Sequence, residues 1–361
     1  MFPSSQQNYI ASAVPTGPTL IIDKSTLQSL TVEEAKWLSH HFHSNLIEPL
    51  FVEIIGALTA TDRRDTVGDV AALAKKMLGM GLTTTPNMRH RDLVIENLLG
   101  FEVPMDGWIV LDGVQPVRQQ AGGTMMFLPE PPEIEALRRL AQGEFLDREK
   151  EGAALLRKFI ADVDLRQIRE IFEPTPERYQ AKNLNEVLAI VDKILDGRGP
   201  YDALRRAIDY LHIPKRYRPQ IVRQWKLKGR PPFKDFAPYS HYVFRVEACF
   251  DMAIGMGLVP ARDSKNFIDI MYAYYLPFCE VFASTDKLHR QMIPLFLRDN
   301  QRFVWGTDIK SDAVKLRTYY ESLPAEVKNS GSLRYASLPP KNGDFLVAKI
   351  FDELRLGWRE W

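Results

Sequence analysis

"CEVFASTDKLHRQM", residues 279–292, decides the fold. An apolar run, Val281-Phe282-Ala283, stops at Ser284-Thr285-Asp286, and a helical pattern starts at once. A strand that is apolar on both faces belongs inside a parallel sheet. In such sheets the carboxyl ends of the strands open onto the ligand crevice, so Asp286 falls where the sheet meets solvent. "TLIIDKSTLQSL", from Thr19, repeats the arrangement: apolar strand, Asp23, helix. Two strand-end acids of this kind point to one shared site.

Outward from these stretches, residues 1–17, rich in Ser, Gln and Pro, read as a flexible lead-in. Ser25 or Thr26 is placed to cap a single helix through "TLQSLTVEEAKWLSHHF". "NLIEPLF" predicts a second strand with its proline at an edge, and "VEIIGALTA" a helix with Glu53 in its first turn. Helices follow in "TVGDVAALAKKMLGMG" and "RDLVIENLLG", with "GWIVLDG" (residues 107–113) as a strand or hairpin arm. From "EIEALRRLAQGEF" to "PYDALRRAIDYLHI" helical spacing dominates, with prolines between segments. "SHYVFRVEACFDMAIGMGLV" and "RDSKNFIDIMYAYYLPFC" predict two further helices before the strand at Cys279. "RFVWG" predicts a last strand, and "DIKSDAVKLRTYYESL" and "GDFLVAKIFDELRLGW" two last helices. The expected fold class is α/β: a small parallel sheet flanked by helices, assembled from residues 18–125 and 240–361, with a mainly α-helical insertion at 126–239.

Composition narrows the function classes. The 361 residues suffice for a substantial core. With 47 basic and 46 acidic residues the net charge is +1, so no global field draws in nucleic acid, and any polyanion site must be local. Both cysteines, Cys249 and Cys279, lie in apolar settings and read as buried thiols, neither a disulfide framework nor a zinc site. The first residues lack the basic and apolar regions of a secretory leader. No apolar run nears the roughly 20 residues that a membrane span needs. A cytoplasmic protein away from membranes is expected.

Asp23, Glu53, Asp269 and Asp286 are the acids that such a sheet would gather. Buried together they repel, and their pKa values rise unless a cation joins them. Hard oxygen donors without Cys or His favour Mg2+ or Mn2+ over zinc. Each acid also has a plain structural reading: Asp23 and Asp286 as helix N-caps, Glu53 as a first-turn acid, Asp263 as the cap of a helix from Ser264, and Asp308 as another cap. His289, one turn beyond Asp286, either reaches a substrate phosphate or sits on a solvated helix face. Lys287 and Arg290 are placed for phosphate contacts. "IPKRYRPQIVRQWKLKGRPPFK" (residues 213–234) is the strongest local basic patch. It reads as an RNA-tracking surface using Arg223, Lys226, Tyr217 and Trp225, or as a solvated helix whose Trp is core. His40, His41 and His43 lack a partner at metal spacing and read as helix surface; Tyr272, Tyr274 and Tyr275 read as core.

The order strand-Asp23, helix, "PLFVEII" with Glu53, then "NFIDIMYAYYLPFCEVFASTDKLH" resembles a PIN-like nuclease domain, in two separated pieces of the chain. The resemblance implies Asp23, Glu53, Asp269 and Asp286 as catalytic metal ligands for Mg2+ or Mn2+, with Ser284 or Thr285 orienting the last acid. It implies an endoribonuclease that leaves a 3′-hydroxyl and a 5′-phosphate, with Ser25, Thr285, Lys287, His289 and Arg290 facing the RNA substrate. Relatives of toxin and defence type imply an inhibitory or regulatory protein partner, and a homo-oligomer is compatible. Two features depart from the pattern: the insertion is large, and Asp263 competes with Asp269 as third acid. Other readings are a PIN-like scaffold without chemistry that binds protein or RNA, and a DNA nuclease or phosphatase with the same site. A doubly wound small-molecule enzyme is disfavoured, because no glycine-rich loop follows the first strand.

Overall fold

The computed structural model describes residues 17–59, 66–80, 85–111, 115–119, 123–127, 130–162, 165, 180–197, 199–261, 264–329 and 336–360. β1 (Thr19–Ile22) leads through Asp23 into α1 (Lys24–Ser29) and α2 (Val32–Ser39). β2 (His43–Leu46), α3 (Glu48–Gly56), α4 (Thr66–Gly79), β3 (Thr85–Pro86) and α5 (His90–Leu98) follow. An antiparallel hairpin, β4 (Gln115–Gln119) with β5 (Gly123–Phe127), precedes a helical stretch. That stretch holds α6 (Pro132–Ala141), α7 (Asp147–Asp162), α8 (Leu184–Asp196), α9 (Pro200–Tyr210), α10 (Arg218–Leu227), α11 (Phe233–Phe236) and α12 (Pro238–Gly255). The chain returns through α13 (Asn266–Ala273) to β6 (Val281–Ser284), α14 (Lys287–Met292), β7 (Arg302–Trp305), α15 (Gly306–Ser322), α16 (Ala325–Lys328) and α17 (Leu346–Leu354).

The result is α/β, with a five-stranded sheet in the order β3-β2-β1-β6-β7, every pairing parallel. β1 and β6 are buried along their whole length, as their unbroken apolar runs require. The apolar core is continuous from Leu20 to Trp358 and takes in Leu137, Val187 and Leu204 of the helical stretch. At the amino end of β6, Glu280 accepts the Thr19 N–H, and Arg355 after α17 grips it through two bonds of 2.7 and 2.6 Å. The chain's last described segment is thereby tied to its first strand. No described helix is long and apolar enough to cross a membrane.

Several local expectations are corrected. The single helix expected after Asp23 is two, because Leu30 is extended and Thr31 opens a capping box with Glu34. Neither Ser25 nor Thr26 is the cap of α1; Asp23 is. The second strand ends at Leu46, and Pro49 lies in the first turn of α3, where its missing N–H is harmless. Glu48 is therefore the first-turn acid, and Glu53 sits in the second turn, away from the helix dipole's positive end. The described part of residues 107–113 is not strand, and the hairpin comes later, at β4 and β5. α13 starts at Asn266 with Lys265 at its N-cap position, and Asp263 lies outside the described residues.

Tyr272, Tyr274 and Tyr275 are buried as expected, but each hydroxyl also meets a carboxylate: Glu53, Glu247 and Glu48 respectively. Burial pushes Glu247 up to about 8, with the Tyr274 hydrogen bond opposing and the Asp251 charge adding to the rise. A carboxyl that holds its proton more tightly when folded withdraws stability as pH rises from its unfolded value, near 4.5, to its folded one. The wild-type protein should therefore lose stability between pH 5 and pH 8.5, and Glu247→Gln should remove roughly 1–3 kcal/mol of that loss. Urea unfolding of both proteins at the two pH values measures it.

Candidate functional site

β1 and β6 pair in register, Ile22 opposite Ala283, so Asp23 and the Ser284-Thr285-Asp286 segment emerge side by side. The chain order reverses between these two strands, which makes their carboxyl ends the switch-point crevice of the sheet. Asp23 is buried, with its N–H bonded to the Ala283 carbonyl. Its Oδ1 accepts the Thr26 N–H at 2.8 Å, the N-cap bond of α1. Its Oδ2 accepts the hydroxyls of Ser25 and Ser284, both at 2.6 Å. Thr285 reaches Ser25 at 2.5 Å, closing a chain of hydroxyls between the two loops.

Ser284 fixes a protonation state. Its Oγ meets Asp23 Oδ2, His289 Nδ1 at 2.8 Å and the Asp286 N–H at 2.9 Å. A serine has one proton to give. With Asp23 ionised that proton goes to the carboxylate, so Nδ1 must donate. Nε2 faces the Asp269 carbonyl at 2.8 Å, which only accepts, so Nε2 must donate as well. His289 is therefore an imidazolium, buried at 2% exposure and 3.8 Å from Asp23. Burial opposes that charge, but the contacts with Asp23 and Asp269 outweigh it and raise the pKa. Burial likewise opposes ionisation of Asp23, yet the hydrogen bonds of His289, Ser25, Ser284 and Thr26 hold it down to about 2.

The other three acids surround this pair. Asp286 caps α14, its Oδ1 accepting the Leu288 and His289 N–H groups at 2.6 and 3.1 Å. Glu53 reaches in from α3 and accepts the Tyr272 hydroxyl at 2.5 Å. Burial raises its pKa, Asp23 adds to the rise, and Tyr272, Lys24 and His289 counter it. Asp269 stands in the first turn of α13. Burial lifts it to about 7; His289 works against the lift, and Asp286, Glu53 and Asp23 add to it. The four acids therefore share one electrostatic neighbourhood, and one of them is only partly ionised at neutral pH.

The donor chemistry fits a hard divalent cation: four carboxylates and no thiol, with Asp269 lifted to about 7 by burial and, after that, by its acidic neighbours. Among the described residues, however, no three His, Cys, Asp or Glu side chains stand together at metal-ligating range. The carboxylates feel one another without yet forming a coordination shell.

The hydroxyl assignments change. Ser284 orients Asp23 rather than the last acid, and Thr285 bonds to Ser25. His289 is not on a solvated helix face: it is buried, bonded to Ser284 and to the Asp269 carbonyl. Both strand-end aspartates are N-caps as well as cluster members. Lys287 and Arg290 are exposed, and neither has a carboxylate partner among the described residues. Arg223 and Lys226 are exposed on α10, but Trp225 between them is core, its indole N–H bonded to the Pro231 carbonyl. Trp225 is therefore no stacking platform, whereas Tyr217 is half-buried under the Arg216 guanidinium. His41 is core too, beside Tyr320, not helix surface. Asp308 is exposed in the first turn of α15, whose N-cap position is Trp305.

Two features carry no sequence signal. Tyr272 looks like plain core, and only the fold turns its hydroxyl onto Glu53. Gly306 lets α15 press against the site: a Cβ there would stand 2.3 Å from Thr26 Oγ1 and 2.6 Å from Thr285 Cγ2.

Compared with protein-family models, curated proteins and solved structures, the chain matches none.

Asp269 withdraws stability as pH rises from its unfolded value near 3.8 towards 7, and above that the cost of a buried charge, with its neighbours' repulsion added, is fully present. Asp269→Asn should therefore be more stable than wild type at pH 8, by roughly 1–3 kcal/mol, and show little advantage at pH 4. Thermal and urea unfolding in chelator, at both pH values, give the comparison.

Proposed function

We propose that this protein is a PIN-like, Mg2+- or Mn2+-dependent endoribonuclease. The observation that supports it best is that Asp23, Glu53, Asp269 and Asp286 act on one another's ionisation at the switch point of a parallel sheet. The sheet, its strand-end acids and the α13-to-β6 acid order are what the resemblance to PIN-like nuclease domains implies. Asp23, Glu53, Asp269 and Asp286 would hold the cation. When bound, such a cation lowers the pKa of a water and offsets charge at a phosphodiester.

The chain's own residues do the rest. Ser25 and Ser284 fix the Asp23 carboxylate in one orientation, which preorganises its free lone pair. The His289 imidazolium keeps Asp23 ionised. Tyr272 aims Glu53. Lys287 and Arg290, exposed on the turn that starts at Asp286, are free to meet substrate phosphates. Cleavage leaving a 3′-hydroxyl and a 5′-phosphate is the outcome the resemblance implies, and a protein partner that restrains the enzyme belongs to the same expectation.

The buried imidazolium favours a second reading. It already supplies a positive charge beside Asp23, as a scaffold without chemistry would need in order to keep its acids.

Cleavage of labelled single-stranded and structured RNAs, and of DNA of the same sequence, in Mn2+, in Mg2+ and in chelator separates these readings. Metal-dependent RNA cutting should fall at least 100-fold in Asp23→Asn and in Asp286→Asn, since each removes a cation ligand rather than a binding contact. Cutting that survives both substitutions contradicts the proposed site. A folded protein inert in every metal supports the scaffold.

A further inference from the structure

β6 and β7 run in register, with Ser284 opposite Trp305 and Phe282 opposite Phe303. Side chains in register on adjacent parallel strands share a face, and residues two apart on a strand share it too. Phe282 stacks on Phe303 and packs edge-on against His289, while Ser284 bonds to His289. Trp305 therefore stands on the same face as the Ser284–His289 pair, one strand spacing of about 4.8 Å from Ser284. It is the last residue of β7, half-buried, at the same carboxyl end of the sheet as Asp23 and Asp286.

A large ring at a strand end should be covered by apolar neighbours if it serves the core alone. Phe303 packs against Trp305 with ring centroids 6.4 Å apart, and a cation lies over it as well: the Arg290 guanidinium carbon is 5.2 Å from the ring centroid. Arg290 is exposed, has no carboxylate partner among the described residues, and directly follows His289 in the chain. An indole and a guanidinium plane are the two side-chain surfaces on which unstacked bases settle, and the guanidinium fork also suits a phosphate. Lys287, one turn earlier on α14, adds a second unpaired charge near Asp286.

We propose that Trp305 and Arg290 form a nucleobase-stacking subsite beside the acid cluster, holding the base of a nucleotide next to the scissile phosphate in single-stranded RNA. The subsite rests on the nuclease reading of the acids and adds to it a substrate class: an unpaired strand whose base is free to leave its stack. A duplex keeps its bases stacked on one another and cannot present one here. The basic stretch of residues 213–234 also sets a guanidinium over a ring, Arg216 over Tyr217 at 4.7 Å, but that pair is not on the strands that carry the acids, and its tryptophan, Trp225, is buried.

The test is equilibrium binding, in chelator, of a fluorescein-labelled single-stranded oligouridylate and of the same strand with one abasic ribose placed at each position in turn. Wild type, Trp305→Phe and Trp305→Ala are compared. Trp305→Ala should bind the intact strand about tenfold more weakly, and Trp305→Phe should keep most of the affinity. One abasic position should reproduce the tenfold loss in wild type and cost Trp305→Ala nothing further, because base and ring are then one interaction. Equal binding by all three proteins, or abasic losses unchanged by Trp305→Ala, overturns the subsite and leaves the nuclease reading standing. No binding of any strand by any of the three overturns both.

Discussion

The parallel pairing of β1 with β6 is the constraint on which the rest of the molecule depends. It joins strands some 260 positions apart and puts Asp23 beside Ser284, the residue from which its hydrogen bonding follows. The pairing also sets the sheet order, since β2 and β3 extend from β1 and β7 extends from β6. The long chain between the two halves must leave and return without disturbing that contact. It does so by packing its helices into a core continuous with that of the sheet.

Bringing the strand ends together brings their charges together. The two ends of the sheet handle this differently. At the amino end of β6, Glu280 is matched by the bidentate grip of Arg355, and the result is a tether. At the carboxyl end one buried imidazolium, His289, faces several carboxylates, with Lys24 adding its charge near Glu53. It stabilises Asp23 through Ser284, but Asp269 is still driven up to about 7. A structural ion pair is complete when its charges balance. Here burial, with the neighbouring carboxylates adding to it, keeps one acid from ionising fully, a strain that a bound cation would relieve.

The strand-end acids are legible in the sequence because an uninterrupted apolar run followed by Asp and a helical pattern has few other meanings in a parallel sheet. β1, β6, β7 and the helices that follow them are found for that reason. Element edges are harder. Pro49 marks a helix start rather than a strand edge, and the capping box at Thr31 divides a run whose periodicity alone suggests one helix. The roles of Ser284, His289 and Tyr272 depend on partners far along the chain, and no local pattern encodes them. Trp225 shows the converse: its basic neighbours suggest a ring offered to bases, and its burial takes that ring into the core.

The proposed function requires that Asp23, Glu53, Asp269 and Asp286 receive a hard divalent cation. The most direct measurement is anomalous scattering at the manganese edge from crystals of the full chain grown with MnCl2. A peak among these four carboxylates, lost in Asp269→Asn crystals, is the predicted result. Peaks confined to other surfaces, with the Asp23–Ser284–His289 network unchanged, would contradict it.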